Sequence, residues 1–378
     1  MEMESTFHRN ALSAPLAVAA NDGALPTDVL RDVLLRLPAD ELCRLRLVCR
    51  SWRSLTSDPI LAKAHSSRHV LVVGLRPGCH GMEVQFLDPF SGRTVKRIRL
   101  GQTWNGHDLS AHHCQVYISE RYLADKTYVL NPTTGSFTML PNPGMVTENE
   151  NIRGVIYESV FGRVPFTGEY KALRIHRERW YPNKTELSYY VATLGGSKDI
   201  TWRLKPWPPV RVSLEYRENT VVNGVVYFWL HLDPAISDEM AAFDLAAEEW
   251  SDTLLRGPLS SHNIRVKEQE RVHFSLANLN GCLVSICDFY EDCSMDIWFL
   301  MDPDKELWTK QYSLRTDGTI FIPLWILDDG RVLIWVNRVE ELRAYDPRTS
   351  TWTNLSTVER FFDVGMYHGS LLCSDIAY

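Results

Sequence analysis

One phrase recurs along most of this chain and limits its fold more than any other feature. An apolar run leads into an Asp or Asn turn, a few small polar residues follow, and Trp or another apolar residue closes it. Its copies are FLDPFSGRTV (86–95), YVLNPTTGSF (128–137), AAFDLAAEEW (241–250), WFLMDPDKELW (298–308) and RAYDPRTSTW (343–352). A weaker copy, YVATLGGSKDITW, ends at Trp202. The phrase reads as a β-hairpin, because Asp or Asn beside Pro favours a turn start and small polar residues fill the loop. A second phrase precedes several copies: VVNGVVYF (221–228), NLNGCLVSI (278–286) and ILDDGRVLIW (326–335). Asn-Gly and Asp-Gly favour tight turns, since both residues tolerate positive φ. Two hairpins per repeat make four strands, and about 45–50 residues per four-stranded unit is the spacing of a β-propeller blade. The region from His69 onward then divides into six blades, with seven as the alternative. A β-sandwich pair or a barrel would share the alternation but not the period. The 369–373 segment is expected to pair with the first blade and close the ring, which removes exposed edges.

Residues 24–65 follow a different period. Leu30, Val33, Leu34 and Leu37 recur at helical spacing, with Thr27 or Asp28 as a cap and Pro38 as the stop. A second helix is expected from about Asp40 through Leu45, Val48, Cys49 and Trp52. Asp58 followed by Pro59 reads as a cap opening a third, to about His65. Three helices in so short a stretch cannot cover all these large side chains. The surplus apolar surface must pack either on a partner or on the chain's own second domain.

Composition excludes several classes. The hydrophobic share is 45%, which permits a large core and argues against global disorder. A formal charge of -7 disfavours a bulk electrostatic grip on nucleic acid. No run of about 18 apolar residues occurs, so no membrane-spanning helix is expected. Residues 1–22 read as a disordered leader, because Pro15 interrupts its apolar part and Glu2 and Glu4 replace the positive charge of a signal peptide. On that reading the protein is cytoplasmic or nuclear and its thiols are reduced.

Signs of catalysis are missing: no nucleophile elbow, no phosphate-cradling glycine loop, no paired zinc cysteines. Cys282, Cys287 and Cys293 lack zinc spacing, so no metal and no cofactor is expected. His107, His112, His113 and Cys114 read as loop and surface residues, and Asp288, Glu291 and Asp292 as a polar loop tip. A basic stretch, Lys171, Arg174, His176, Arg177 and Arg179, ends at Trp180 and Tyr181. It reads as a strand with Leu173 and Ile175 inward and its charges solvated.

The run LPTDVLRDVLLRLPADELCRLRLVCRSWRSL resembles an F-box over essentially its whole length, through its LP-x-D-x-L opening, RLP turn and L-x-x-VC-x-x-W segment. VLNPTTGSFTMLPNP and the later Asp-Pro…Trp hairpins resemble the F-box-associated β-propeller domain of plant F-box proteins. The resemblance implies a small all-α three-helix F-box (23–66) followed by an all-β propeller (67–378). It implies a non-catalytic substrate receptor of an SCF-type ubiquitin ligase. The F-box would bind a Skp-type adaptor, and through it cullin and RING subunits; the propeller would bind a target protein. Carried over by position, the adaptor-facing residues are Leu25, Pro26, Val29, Leu30, Leu37, Pro38, Leu45, Val48, Cys49 and Trp52. Trp104, Trp180, Tyr181 and Trp207, in the connecting loops, are candidate target anchors. An adaptor-binding scaffold without a ligase role, or a propeller lectin or enzyme, are the competing readings.

Overall fold

The computed structural model describes residues 26–79, 81–101, 107–112, 114–120, 126–143, 152–180, 184–194, 200–215, 217–231, 238–262, 272–358, 360–369 and 371. Residues 1–22, expected to be a leader, lie outside them.

Four short helices come first: α1 (Thr27–Leu34), α2 (Ala39–Leu45), α3 (Arg50–Thr56) and α4 (Pro59–Arg68). The expected second helix is two helices. Cys49 is extended (φ -158, ψ 170) and starts α3 anew, because the 46–48 turn ends α2. Apolar spacing runs through this break, so periodicity alone reads it as continuous. Neither Thr27 nor Asp28 caps α1; Pro26 holds the cap position with no side-chain bond, and the helix ends at Leu34. Asp58 does cap α4, accepting the Ile60 amide at 3.0 Å with Pro59 at the first helical position.

The described strands form six sheets, five of four strands and one of five, arranged as a six-bladed propeller. Strands of each blade are lettered a to d from the axis outward. The inner strands are His107–His112, Ile152–Arg163, Asn219–Val222, Val272–Leu279, Phe321–Ile326 and Asp363–Tyr367. The last of these pairs with Leu71–Gly78, so blade one takes its inner strand from the far end of the chain. Closure therefore uses Asp363–Tyr367, not the expected 369–373. The register aligns Leu71 with Tyr367 and Leu75 with Asp363.

Both sequence phrases map onto one place in every blade that carries them. The Asp or Asn phrase is the c–d hairpin. Its acidic or amide side chain captures the backbone two or three residues on: Asp88 accepts from Phe90 and Ser91, Asn131 from Thr133 and Thr134, Asp244 from Ala246 and Ala247. Four residues past it the chain turns left-handed, at Gly92, Gly135, Glu248, Glu306 and Ser350. The Asn-Gly phrase is the a–b turn, with both Asn223 and Gly224 left-handed (φ 51 and 82). At Asp329-Gly330 only the glycine is left-handed, so this turn belongs to a different type.

In blades three, four and five the Trp of strand d fastens the blade to the one before. The indole N–H of Trp202 donates to Pro141 O, Trp250 to Pro206 O and Trp308 to Arg256 O, at 2.6, 3.2 and 2.8 Å. Each acceptor lies at the exit of the preceding blade. The ring thus repeats a contact between blades, and hydrophobic clusters fill the wedges between them.

Candidate functional site

Two surfaces can engage partners, and strand order fixes which face each occupies. In blades of four antiparallel strands, a–b and c–d turns emerge on one face, b–c and d–a connections on the other. The helices lie against the first face. Glu41 of α2 pairs with Arg93 in the first c–d hairpin at 3.7 Å. Leu34, Leu35, Ala39, Leu42, Leu61 and Ala62 are buried in one cluster with Leu71, Phe86 and Ile98 of blade one.

Polar contacts hold the helices to one another. Arg31 pairs with Asp58 at 2.9 Å, joining α1 to the start of α4. Arg46 donates to Thr56 O at 2.8 Å, bracing the break before α3. His65 Nε2 lies 2.8 Å from Leu37 O and His69 Nε2 2.9 Å from Leu35 O, so two rings stacked 4.3 Å apart satisfy carbonyls at the end of α1. Burial lowers the His65 pKa from 6.5 to about 4.

The inward packing divides the ten residues expected to face an adaptor. Pro26, Val29 (42%), Val48 (65%) and Cys49 are exposed. Leu30, Leu37, Pro38, Leu45 and Trp52 are half-buried, and the leucines and Trp52 pack on the core shared with blade one. Leu25 lies outside the described residues. The open surface also takes in Val33, Leu47 (80%) and Ile60, which the motif reading missed. Val33 was within reach, since it lies one helical turn after Val29.

On the opposite face stand the exposed side chains of Trp207 (62%), Tyr290, Ile320, Val339 and Phe362. All five belong to b–c or d–a connections. Trp104 and Tyr181 lie outside the described residues. Trp180 ends the strand Tyr170–Trp180, and its side chain is not described. The described strand ends flanking these three positions open on the same face as Trp207.

Three residues of the basic stretch are not solvated, Arg177 is half-buried, and the side chain of Arg179 is not described. Lys171, Arg174 and His176 are buried together with Leu173 and Ile175, because strand b of blade three is covered on both sides by neighbouring blades. Arg174, fully buried, donates to Thr127 Oγ1 at 3.0 Å. Burial, with the Arg174 charge beside it, lowers the His176 pKa to about 3. Lys171 reaches Glu248 of blade four at 2.9 Å. Asp288 likewise is buried in a strand beside His273, where burial raises its pKa, and is no loop tip. His112 packs edge-on against Phe161, and His107 and His113 have no described side chain. Among the described residues no group of three or more His, Cys, Asp or Glu can hold a metal, and no helix is long and apolar enough to cross a membrane.

Comparison with known proteins agrees with both parts of this architecture. The F-box-like family matches residues 23–67, and the F-box associated beta propeller domain matches residues 101–322, more than half of the chain. F-box protein At3g07870 of Arabidopsis thaliana is 24% identical, over 94% of this chain and 93% of its own length. F-box/kelch-repeat protein At3g23880 of the same plant is 23% identical over 82% and 85%. A chain of a solved nidogen/laminin complex aligns at 9% identity with a TM-score of 0.42, covering 79% of this chain and 97% of that one. With helices matched at one end and a six-bladed ring matched behind them, this chain belongs to the F-box proteins that carry an F-box-associated β-propeller domain.

Proposed function

We propose that the protein is the substrate receptor of an SCF-type ubiquitin ligase, acting in the cytoplasm or nucleus. The helices hold a Skp-type adaptor, and through it the cullin and RING subunits. The propeller holds the target, and the chain itself breaks and forms no bond. One observation carries this reading: the open apolar surface of the helices and the exposed side chains of Trp207, Tyr290, Ile320, Val339 and Phe362 occupy opposite faces. A target held on one face leaves the other free for the ligase core, and tethering raises the effective concentration of target lysines near the conjugating enzyme.

The adaptor surface centres on Val29, Val33, Leu47, Val48 and Ile60, exposed in the isolated chain. Covering each is worth on the order of 1 kcal/mol. Leu30, Leu45 and Trp52 shape the surface from beneath. Co-purification with a Skp-type adaptor tests this. Val29→Asp with Val48→Asp abolishes capture while leaving the melting temperature of the chain within about 1 °C. Undiminished capture by that double variant refutes the surface. Cullin in the wild-type eluate, and slower turnover of proximity-labelled proteins when the double variant replaces wild type, test the ligase role.

A further inference from the structure

The inner strands enclose an axial pocket of about 610 Å³. That volume is within the range of small-molecule sites. Every inner strand runs from the face opposite the helices toward the helical face, so its first residues line one end of the pocket and its last residues the other. The three carboxylates of the wall belong to the first end and the middle. Asp108 is second in the strand His107–His112, and Asp363 opens Asp363–Tyr367. Glu158, midway along Ile152–Arg163, accepts at 3.1 Å from Asn219, the first residue of its own strand. All three are already partnered: Asp363, for one, takes Arg217 Nη2 and the Leu109 amide, both at 2.8 Å.

The helical end has the opposite sign. Arg163 closes its strand there, between His112 of blade two and Asn223 of blade four, and among the described residues no carboxylate lines this end. The half-buried Arg163 donates from Nε to Gly168 O at 3.3 Å, in its own a–b turn, and forms no ion pair among the described residues. Gly168 is left-handed (φ 74), and a side chain there would come within 3.0 Å of Arg163 Nη2. The glycine therefore keeps room beside the guanidinium. Such a fork matches a carboxylate with two parallel hydrogen bonds. Across the axis from Arg163, Trp325 of blade six is half-buried and held by the His368 ring 4.4 Å away. With Met366 and Leu276 it gives the pocket an apolar flank.

We propose that the helical end of the axial pocket binds a small organic carboxylate built on a flat apolar ring. The carboxylate pairs with Arg163, and the ring lies on the Trp325 flank. An inorganic anion would leave that flank uncovered, and a neutral ring would leave Arg163 without a counter-ion. A cation would be repelled by Arg163 and would find the acids of the far end engaged. Neither Arg163 nor Trp325 belongs to the surface assigned to the adaptor, so adaptor capture reports on the fold independently of this site.

The test titrates the full-length protein with naphthoate and biphenylcarboxylate, and with the matched alcohols naphthylmethanol and biphenylmethanol, by calorimetry and by thermal shift. At least one carboxylate is expected to bind saturably, raise the melting temperature and bind roughly tenfold tighter than its alcohol. Arg163→Gln removes that difference while leaving the alcohol's affinity unchanged, and Trp325→Leu weakens acid and alcohol alike; adaptor capture persists in both. If Trp325→Leu does not fold, Arg163→Gln decides alone. No saturable binding by either carboxylate, an alcohol that binds as tightly as its acid, or wild-type affinity in Arg163→Gln overturns the proposal.

Discussion

Replacing Glu248 with Gln should loosen the joint between blades three and four. Its side chain, 11% exposed, is in the c–d turn of blade four and meets three cations of blade three: Lys171 at 2.9 Å, Lys205 at 2.6 Å, and Arg203 through Nε at 3.1 Å and through Nη2. Burial alone would raise its pKa, but the hydrogen bonds from Arg203, Lys205 and Lys171 outweigh it and hold the carboxyl near about 2, against 4.5 when free. At about 1.4 kcal/mol per pKa unit, that preference amounts to about 3 kcal/mol of stability at neutral pH. The sign follows from the depressed pKa: the contribution is complete above about 4.5 and is lost as pH falls toward 2. By pH 3.5 about 1.4 kcal/mol of it has gone, on the same linkage.

 Urea unfolding of the two proteins at pH 7 and pH 3.5 measures this directly. Glu248→Gln should lose about 3 kcal/mol at pH 7, a fall of roughly 4 °C in melting temperature for a domain of this size, and only about half as much at pH 3.5. A deficit under about 0.5 kcal/mol at pH 7, or one equal at both pH values, would refute the reasoning.

Other consequences can be checked alongside. Trp308→Phe removes the indole bond to Arg256 O and opens space between blades four and five; a loss of about 2–3 kcal/mol in urea is expected. His65, whose pKa is lowered to about 4 by burial, must be neutral in the folded state, so the helices lose stability as pH falls from 6.5 toward 4, by about 2 kcal/mol at pH 5. Amide exchange of residues 27–35 should accelerate over that range in the wild type and much less in His65→Asn. A chain ending at residue 362 lacks the closing strand, exposes the edge of Leu71–Gly78 and should become insoluble; a soluble chain with wild-type melting would contradict the closure.

The blades were legible because their signals are local. An Asx side chain that captures the amides two or three residues on leaves its mark within ten residues, and so does the Trp near the start of strand d. What escaped depends on contacts between distant parts of the chain. Lys171, Arg174 and His176 look like a solvated edge, because nothing nearby in sequence reveals that Glu248 and Thr127 cover them from two other blades. The closing strand was placed a few residues late, since its position is decided by register against Leu71–Gly78. In the helices the motif identified the module but not its orientation: the apolar spacing from Leu30 to Trp52 is shared between the side facing blade one and the side left open, and packing alone separates Leu34 and Leu42 from Val29 and Val48.

Tyr367, in the closing strand, is fully buried edge-on against Phe86, and Leu371 follows it into the cluster that holds Leu34 and Leu42. The helices, made first by the ribosome, acquire their complete floor only when the last strand arrives. A chain interrupted before residue 363 therefore presents helices that lack part of the surface they pack on. One strand thereby couples the seating of the first-made part of the chain to completion of the last.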